Sequence, residues 1–171
     1  IYTAGCATES DIEVSPSLPA GSATGIRFTD ISSEVGLDFT HLSGTPEQRF
    51  IIESMGGGVA FLDYDGDAYL DVFIVDGTRQ EAPPPTATNR LYRNTTSSAA
   101  GRRFQEVTEE TGLGRTGWGM GCATGDIDGD GHVDLHVPYW GAHVLYRNEG
   151  GSPFSDVPAP ARLGGPRWGT T

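Results

Sequence analysis

The stretch Asp63-Tyr64-Asp65-Gly66-Asp67-Ala68-Tyr69-Leu70-Asp71 decides the fold, and a second copy, Asp126-Ile127-Asp128-Gly129-Asp130-Gly131-His132-Val133-Asp134, begins 63 residues later. Both copies follow the pattern D-x-D-G-D-x-x-x-D, which places four carboxylates within nine residues. Carboxylates this close repel one another unless a hard cation neutralises them. Ca²⁺ fits because it takes about 6–8 oxygen ligands at about 2.3–2.6 Å. The sequence therefore predicts two calcium loops.

The expected ligands are the side chains at loop positions 1, 3, 5 and 9 and the main-chain carbonyl at position 7. They are Asp63, Asp65, Asp67, Tyr69 (carbonyl) and Asp71 in the first loop, and Asp126, Asp128, Asp130, His132 (carbonyl) and Asp134 in the second. Position 4 is Gly66 or Gly129, and glycine permits the tight backbone curl that turns alternate side chains toward one centre.

Three other interpretations of these loops are weaker. An ordinary acidic surface loop would not repeat the same spacing and the same glycine. An EF-hand needs a bidentate Glu at position 12 and flanking helices, whereas position 12 is Ile74 or Val137 and the flanks have strand patterns. Mg²⁺ tends to keep several waters instead of entering an all-protein cage. A calcium loop between two β-strands explains the pattern best.

The sequence around the loops repeats as well. The matched pairs are residues 56–62 with 119–125, 72–75 with 135–138, 90–94 with 144–148, and 104–107 with 154–157. Leu70, Val72 and Ile74 alternate at period two, as do Val133, Leu135 and Val137, and this alternation between turn residues predicts strands. Four short antiparallel strands per repeat are typical of a β-propeller blade, so the expected fold class is all-β.

With these motifs the chain resembles the FG-GAP or VCBS repeats of integrin-type β-propellers over about residues 26–171. Residues 28–37 and 55–67 and the Leu-Tyr-Arg-Asn segments are similar to secreted proteins of the cartilage-acidic-protein type. The resemblance implies a calcium loop between the first two strands of each blade. Ala68 replaces the glycine that usually follows the third aspartate, which should make that turn less favourable without removing a ligand.

The repeats divide the chain into four segments. Residues 1–25 form an N-terminal extension or arm, 26–113 a first blade unit, 114–163 a second blade unit, and 164–171 the start of a third repeat. A closed propeller needs about 4–8 blades. Either the chain is the N-terminal part of a larger propeller, or two open blades associate with other copies. Unpaired strand edges recruit other chains, and the arm could add a strand to a neighbour, giving a filament or surface layer.

Composition limits the possible functions. The net charge is −12, and eight of the 23 acidic residues lie in the two loops, so the acidity argues against nucleic acid as a partner. All 11 basic residues are arginine, which excludes catalysis through a lysine Schiff base. No apolar run reaches about 18 residues, so no transmembrane helix is expected. Calcium loops of modest affinity suit an extracellular or cell-surface location.

Two further candidate modifications follow from single residues. Cys6 and Cys122 could form a disulfide, although Cys122 occupies the position of Val59 and a buried thiol is the equal alternative. Asn94 begins the sequon Asn94-Thr95-Thr96 and is a candidate for glycosylation.

The sequence gives little support for catalysis. The four histidines form no H-E-x-x-H motif, and the glycine run 56–58 precedes a strand, so it favours close strand packing over phosphate binding. We therefore expect a non-enzymatic, calcium-binding extracellular structural or adhesive protein that associates with itself, with other extracellular proteins or with glycans. The alternative is a fragment of a larger propeller receptor or of a carbohydrate-binding or carbohydrate-active protein.

Overall fold

The structure is a computed structural model that describes residues 25–47, 49–79, 82–97, 99, 101–150 and 153–157. The chain divides into two units, Ile1–Asp30 and Ile31–Thr171, and the fold described below belongs to the second. The all-β class is confirmed, since the long-range architecture of this unit consists of two antiparallel sheets.

Each sheet contains four strands that follow one another along the chain. The first sheet is formed by β1 (Gly58–Leu62), β2 (Asp71–Val75), β3 (Arg90–Asn94) and β4 (Phe104–Glu106); the second by β5 (Ala123–Gly125), β6 (Asp134–Tyr139), β7 (Ala142–Arg147) and β8 (Ser155–Val157). Neighbours in sequence are neighbours in the sheet, and all pairs are antiparallel. This meander is consistent with a propeller-type blade. The described residues form two such sheets and no closed ring.

Two one-turn helices were not expected from the sequence. They are α1 (Ser32–Val35) and α2 (Thr108–Thr111), and a 3₁₀ turn spans Ile51–Ser54. Each helix ends at a glycine in the left-handed region, Gly36 at φ 87° and Gly112 at φ 72°, where a residue with a Cβ would be strained. The sequence feature that could have predicted these helices is a glycine four residues after Ser32 and again four residues after Thr108. Both segments are too short to show a helical period.

The main core lies between the two sheets. Side chains of a strand alternate between the two faces of its sheet, and Phe73, Val75 and Leu91 on one face of the first sheet are fully buried. They share one core cluster with Leu135 and Val137 of the second sheet. Each sheet therefore covers an apolar face of the other.

The two sheets use non-equivalent faces for this contact. Shifting Phe73 by the repeat length gives His136, while Leu135 corresponds to Val72. The first sheet thus packs with its Phe73 face, and the second packs with the face that corresponds to Val72. The repeats are stacked head to tail, so the same contact could in principle be repeated at either end of the pair.

Sequence alternation identified the core face in only one of the repeats. Leu135 and Val137 are buried as expected, and so is Val72, but Leu70 is 55% exposed and Ile74 is only partly buried, whereas Phe73 on the opposite face is fully buried. The reason is that both faces of a stacked blade are apolar, so period-two spacing cannot tell which face meets the neighbouring sheet.

The first strands of the two sheets approach each other at glycines. A Cβ on Gly58 would lie 2.7 Å from the Cα of Gly121, which is the equivalent position of the second repeat. The interpretation of the glycine run as a site of close strand packing is confirmed.

Several expectations fall on residues outside the described ranges. The arm (residues 1–25, apart from Gly25), the start of a third repeat (164–171) and Cys6 belong to this group, and they stay predictions. The β1–β4 strands lie within the expected first unit and β5–β8 within the second. No helix among the described residues has the length and apolar character needed to cross a membrane.

Candidate metal centre

The two aspartate-rich loops occupy the same place in each sheet. The first connects β1 to β2 and the second connects β5 to β6. Antiparallel pairing places Leu62 opposite Asp71 and Gly125 opposite Asp134. Loop positions 1 and 9 are therefore brought together by the strand register itself, before any ion is considered.

The aspartate at position 1 shapes each loop from inside. Asp63 Oδ1 accepts the N–H groups of Gly66 (2.8 Å) and Asp67 (3.1 Å), and its Oδ2 accepts that of Ala68 (2.9 Å). Asp126 repeats this in the second loop. The N–H donors, that of Gly131 first, lower the pKa of Asp126, because they stabilise the ionised form.

The aspartate at position 9 is the buried anchor of each loop. Asp71 is 0% and Asp134 is 1% exposed. Asp71 Oδ2 accepts the N–H of Tyr64 and its Oδ1 that of Asn94. Burial raises the pKa of Asp71 to about 6 despite these N–H donors, because a charge in a poorly hydrated site is unfavourable. A bound cation would favour the ionised form.

Three carboxylates converge in each loop. One oxygen from each of Asp63, Asp65 and Asp71 (loop positions 1, 3 and 9) lies within 4.8 Å of the others, and the second loop brings together Asp126, Asp128 and Asp130 (positions 1, 3 and 5) within the same distance. Asp67 and Asp134 lie outside these two groups. Most of the expected side-chain ligands therefore lie close together. Gly66 (φ 75°) and Gly129 (φ 78°) supply the left-handed turn in each loop.

Asp65 provides the best test of whether a cation fits. Both of its carboxylate oxygens are shielded from solvent and accept no hydrogen bond, and the Arg93 guanidinium lies 2.7 Å from Oδ2. A buried carboxylate is unfavourable unless a positive charge or a donor reaches it, so this position favours a cation. Three convergent carboxylates are also the hard oxygen donors that Ca²⁺ prefers. The residues of the first loop therefore fit a calcium ion.

Two asparagines hold the loops to the third strand of each sheet, a role that was not expected. The Asn94 N–H donates to Asp71 Oδ1 and its Nδ2 donates to the Leu70 carbonyl. Asn148 binds Asp134 Oδ1 and the Val133 carbonyl in the same way, and its Nδ2 also donates to Tyr64 O in the first loop. The sequence feature that could have indicated this role is the segment Tyr-Arg-Asn, which occurs at residues 92–94 and again at 146–148. Glycosylation of Asn94 stays a prediction.

The residues at position 7 contribute their backbone to the loop. The N–H of Tyr69 donates to Asp67 Oδ1, and that of His132 donates to Asp130 Oδ1, both at 2.9 Å. These bonds fix the two peptide units that precede the expected carbonyl ligands. The carbonyl oxygens of Tyr69 and His132 stay predicted ligands.

Ala68 carries backbone strain that its counterpart avoids. Its φ is 67°, and Gly131 in the second loop has φ 90°. A residue with a Cβ loses about 1–2 kcal/mol in this region. Replacing Ala68→Gly is therefore expected to change stability little or raise it by up to about 1 kcal/mol, since glycine also makes the unfolded chain more flexible.

The matched change in the second loop is Gly131→Ala, where a new Cβ would meet no atom within 4 Å. It is expected to lower the free energy of unfolding by about 1–2 kcal/mol through φ alone. Urea unfolding measures the change in the free energy of unfolding for both variants. Changes of the same sign and size in the two variants would contradict the assigned strain.

The remaining candidate residues have other surroundings. Cys122 carries a free thiol in the structure, and its burial raises its pKa to about 11; because Cys6 is not described, their pairing stays a prediction. His41 Nδ1 lies 3.1 Å from Asp76 Oδ1, which also accepts the Leu42 N–H. Asp76 thus fastens the segment before β1 to the end of β2.

The family comparison agrees with this geometry. The family model described as an FG-GAP-like repeat matches residues 63–137, which run from the first loop through the second. The match supports the FG-GAP family for this part of the chain. Repeats of this family belong to non-enzymatic propeller domains, commonly bind calcium and are typically extracellular.

The narrower resemblance has no such support. No curated protein matches the chain, so the similarity to secreted proteins of the cartilage-acidic-protein type stays a prediction.

Proposed function

We propose that the protein is a non-enzymatic calcium-binding module of the extracellular space or cell surface, with a structural or adhesive role. The observation that carries this proposal is the pair of equivalent loops, each of which brings three aspartate carboxylates together beside a strand register that is the same in both sheets. Calcium would be held by the convergent aspartates and would lock each β-hairpin at the end where the loop joins its two strands.

Calcium acts here through folding. An ion that binds only the curled loop adds its binding free energy to stability. At about 10 mM Ca²⁺ and a Kd of about 10⁻⁴–10⁻³ M, two sites contribute about 3–5 kcal/mol together. For a domain of this size each kcal/mol corresponds to about 2–4 °C in melting temperature.

The first test is thermal unfolding in calcium and in chelator. We expect the melting temperature to rise by roughly 6–20 °C in about 10 mM Ca²⁺ relative to EDTA. Mg²⁺ at the same concentration serves as the control for ionic strength and is expected to give a much smaller rise. Identical melting curves in calcium and EDTA would contradict the proposal.

Association with a second copy is the second part of the proposal. Val59 and Phe61 on β1 are 60% and 62% exposed, and with Leu70 and Val72 they form what we term the outer face of the first sheet. Phe61, Leu70 and Val72 of this face also line a groove of about 550 Å³, together with Val35 and Phe104. Exposed apolar patches of this kind mark contact surfaces.

The head-to-tail stacking supports a copy of the same chain as the occupant. The outer face of the first sheet corresponds, residue by residue, to the face with which the second sheet packs on the first. The outer face would therefore be covered by a surface equivalent to the Phe73 face of the first sheet. In the second sheet, that equivalent surface includes His136 and Leu145. A contact between these two faces joins different surfaces on the two copies, so it can propagate into a chain of subunits.

Analytical ultracentrifugation tests this association. The calcium-loaded protein is expected to form concentration-dependent oligomers that Phe61→Asp reduces. Phe50→Asp is the matched control, because Phe50 is also exposed (45%) but lies before the 3₁₀ turn, outside the sheets. A strict monomer at all concentrations would count against self-association and would favour the alternative, a module of a larger propeller receptor or carbohydrate-binding protein.

A further inference from the structure

An arginine reaches into each aspartate-rich loop from the third strand of its sheet. Arg93 Nη2 lies 2.7 Å from Asp65 Oδ2 and 3.8 Å from Asp67 Oδ2. Arg147 Nη2 lies 2.6 Å from Asp128 Oδ2 and 3.8 Å from Asp130 Oδ2. The two arginines hold equivalent places in the repeats, and each contacts the aspartates at loop positions 3 and 5.

The backbone around each arginine is fixed by the neighbouring asparagine. Asn94 follows Arg93 and is bonded to Asp71, while Asn148 follows Arg147 and is bonded to Asp134. The strand end is thereby tied to loop position 9, which places the arginine beside the loop. The same arrangement arises in two repeats whose other side chains differ, so it is a property of the repeat.

The charge balance shows what the arginine does. Four aspartates give each loop a charge of about −4 when all are ionised, and one guanidinium reduces this to about −3. The arginine is thus a counter-charge that is already present when no ion is bound. In the first loop it also faces Asp65, whose oxygens are shielded from solvent, so its charge stabilises a poorly solvated carboxylate.

We infer that Arg93 and Arg147 are built-in counter-ions that hold the calcium-free loops in shape and that lower the affinity of the loops for calcium. The inference rests on the proposed calcium function. The two effects have one cause. A guanidinium that relieves repulsion between empty carboxylates also repels a divalent cation that binds those same carboxylates.

The repulsion sets the expected size of the effect. Arg93 and Arg147 side chains are 44% and 41% exposed, so water screens them in part. The guanidinium and a bound Ca²⁺ would contact the same carboxylates, so only a carboxylate group would separate the two positive charges. Removing the guanidinium charge is expected to tighten calcium binding by roughly tenfold at low ionic strength. The effect should shrink as salt is added, because exposed charges are screened.

The experiment compares Arg93→Gln with wild type by calorimetric titration of Ca²⁺ and by melting in EDTA. We expect one of the two sites to bind roughly tenfold more tightly and the EDTA melting temperature to fall. Arg93→Lys keeps the charge and is expected to restore both values in part. Arg147→Gln should repeat the result at the other site, which keeps the test usable if one variant fails to fold.

Arg115→Gln is the matched control. Arg115 is 43% exposed and pairs with Asp156, which belongs to neither loop. Its loss removes the same overall charge and is expected to leave both calcium affinities unchanged. A wild-type chain that binds no calcium would overturn the proposed function together with this inference. A wild type that binds calcium, with Arg93→Gln and Arg147→Gln binding no more tightly, would overturn this inference alone.

Discussion

Replacing both Asp65 and Asp128 by asparagine is expected to remove most of the calcium-dependent rise in melting temperature. Each substitution removes one carboxylate from its convergent group. Loss of a partner that only supports a ligand costs about 10–100-fold in metal affinity, so loss of a ligand charge should cost at least about 100-fold per site. From a Kd of about 10⁻⁴–10⁻³ M, each site would then be at most about half filled at about 10 mM Ca²⁺.

Asp65 makes this test selective. Asp65 accepts no N–H group of its own loop, so asparagine of the same shape removes the charge and the ion pair with Arg93 but leaves the hydrogen bonds within the loop intact. In EDTA the Asp65→Asn variant should therefore melt within a few degrees of wild type. Asp63→Asn is the informative comparison, since Asp63 accepts three loop N–H groups and should lose stability even in EDTA. A double variant that keeps the full calcium response would contradict the ligand assignment.

Replacing Phe73→Ala is expected to lower the free energy of unfolding by about 3–5 kcal/mol. Phe73 is 0% exposed at the contact between the two sheets, and its loss leaves a cavity that two rigid sheets cannot fill. A domain has only about 5–15 kcal/mol of stability in total, so the variant should be close to unfolding at 37 °C without calcium.

Phe61→Ala is the control for this prediction. It removes the same side chain from the same sheet, but on the outer face, where Phe61 is 62% exposed. At a concentration where the chain is monomeric, its unfolding free energy should fall by less than about 1 kcal/mol. Urea unfolding of both variants distinguishes the two faces. A larger loss for Phe61→Ala than for Phe73→Ala would contradict the assigned core.

The loops and the strands could be predicted because their determinants are local. The spacing of the aspartates around Gly66 and Gly129 fixes the loop, and the alternation on either side fixes the strands that the structure shows. The repeat then gave the number of strands per sheet. The convergence of Asp63, Asp65 and Asp71 followed from the same spacing.

The packing of the blades and the supporting side chains could not be predicted in the same way. Whether Phe73 or Val72 faces the other sheet depends on contacts between segments far apart in sequence. Arg93 and Asn94 act on a loop more than 20 residues earlier, across two strand pairings. Their recurrence as Arg147 and Asn148 was visible, but only the sheet register shows that both positions meet the loop.

Counting bound ions tests the central claim most directly. Wild-type protein freed of metal would be dialysed against Ca²⁺ at several concentrations up to about 10 mM, a range that covers the usual affinities of extracellular calcium modules. Bound calcium would then be measured per chain. Two ions per wild-type chain, one in Asp65→Asn and one in Asp128→Asn, is the result that the twin loops predict. Wild-type protein that retains no calcium at the highest concentration would contradict the claim that these aspartates form metal sites.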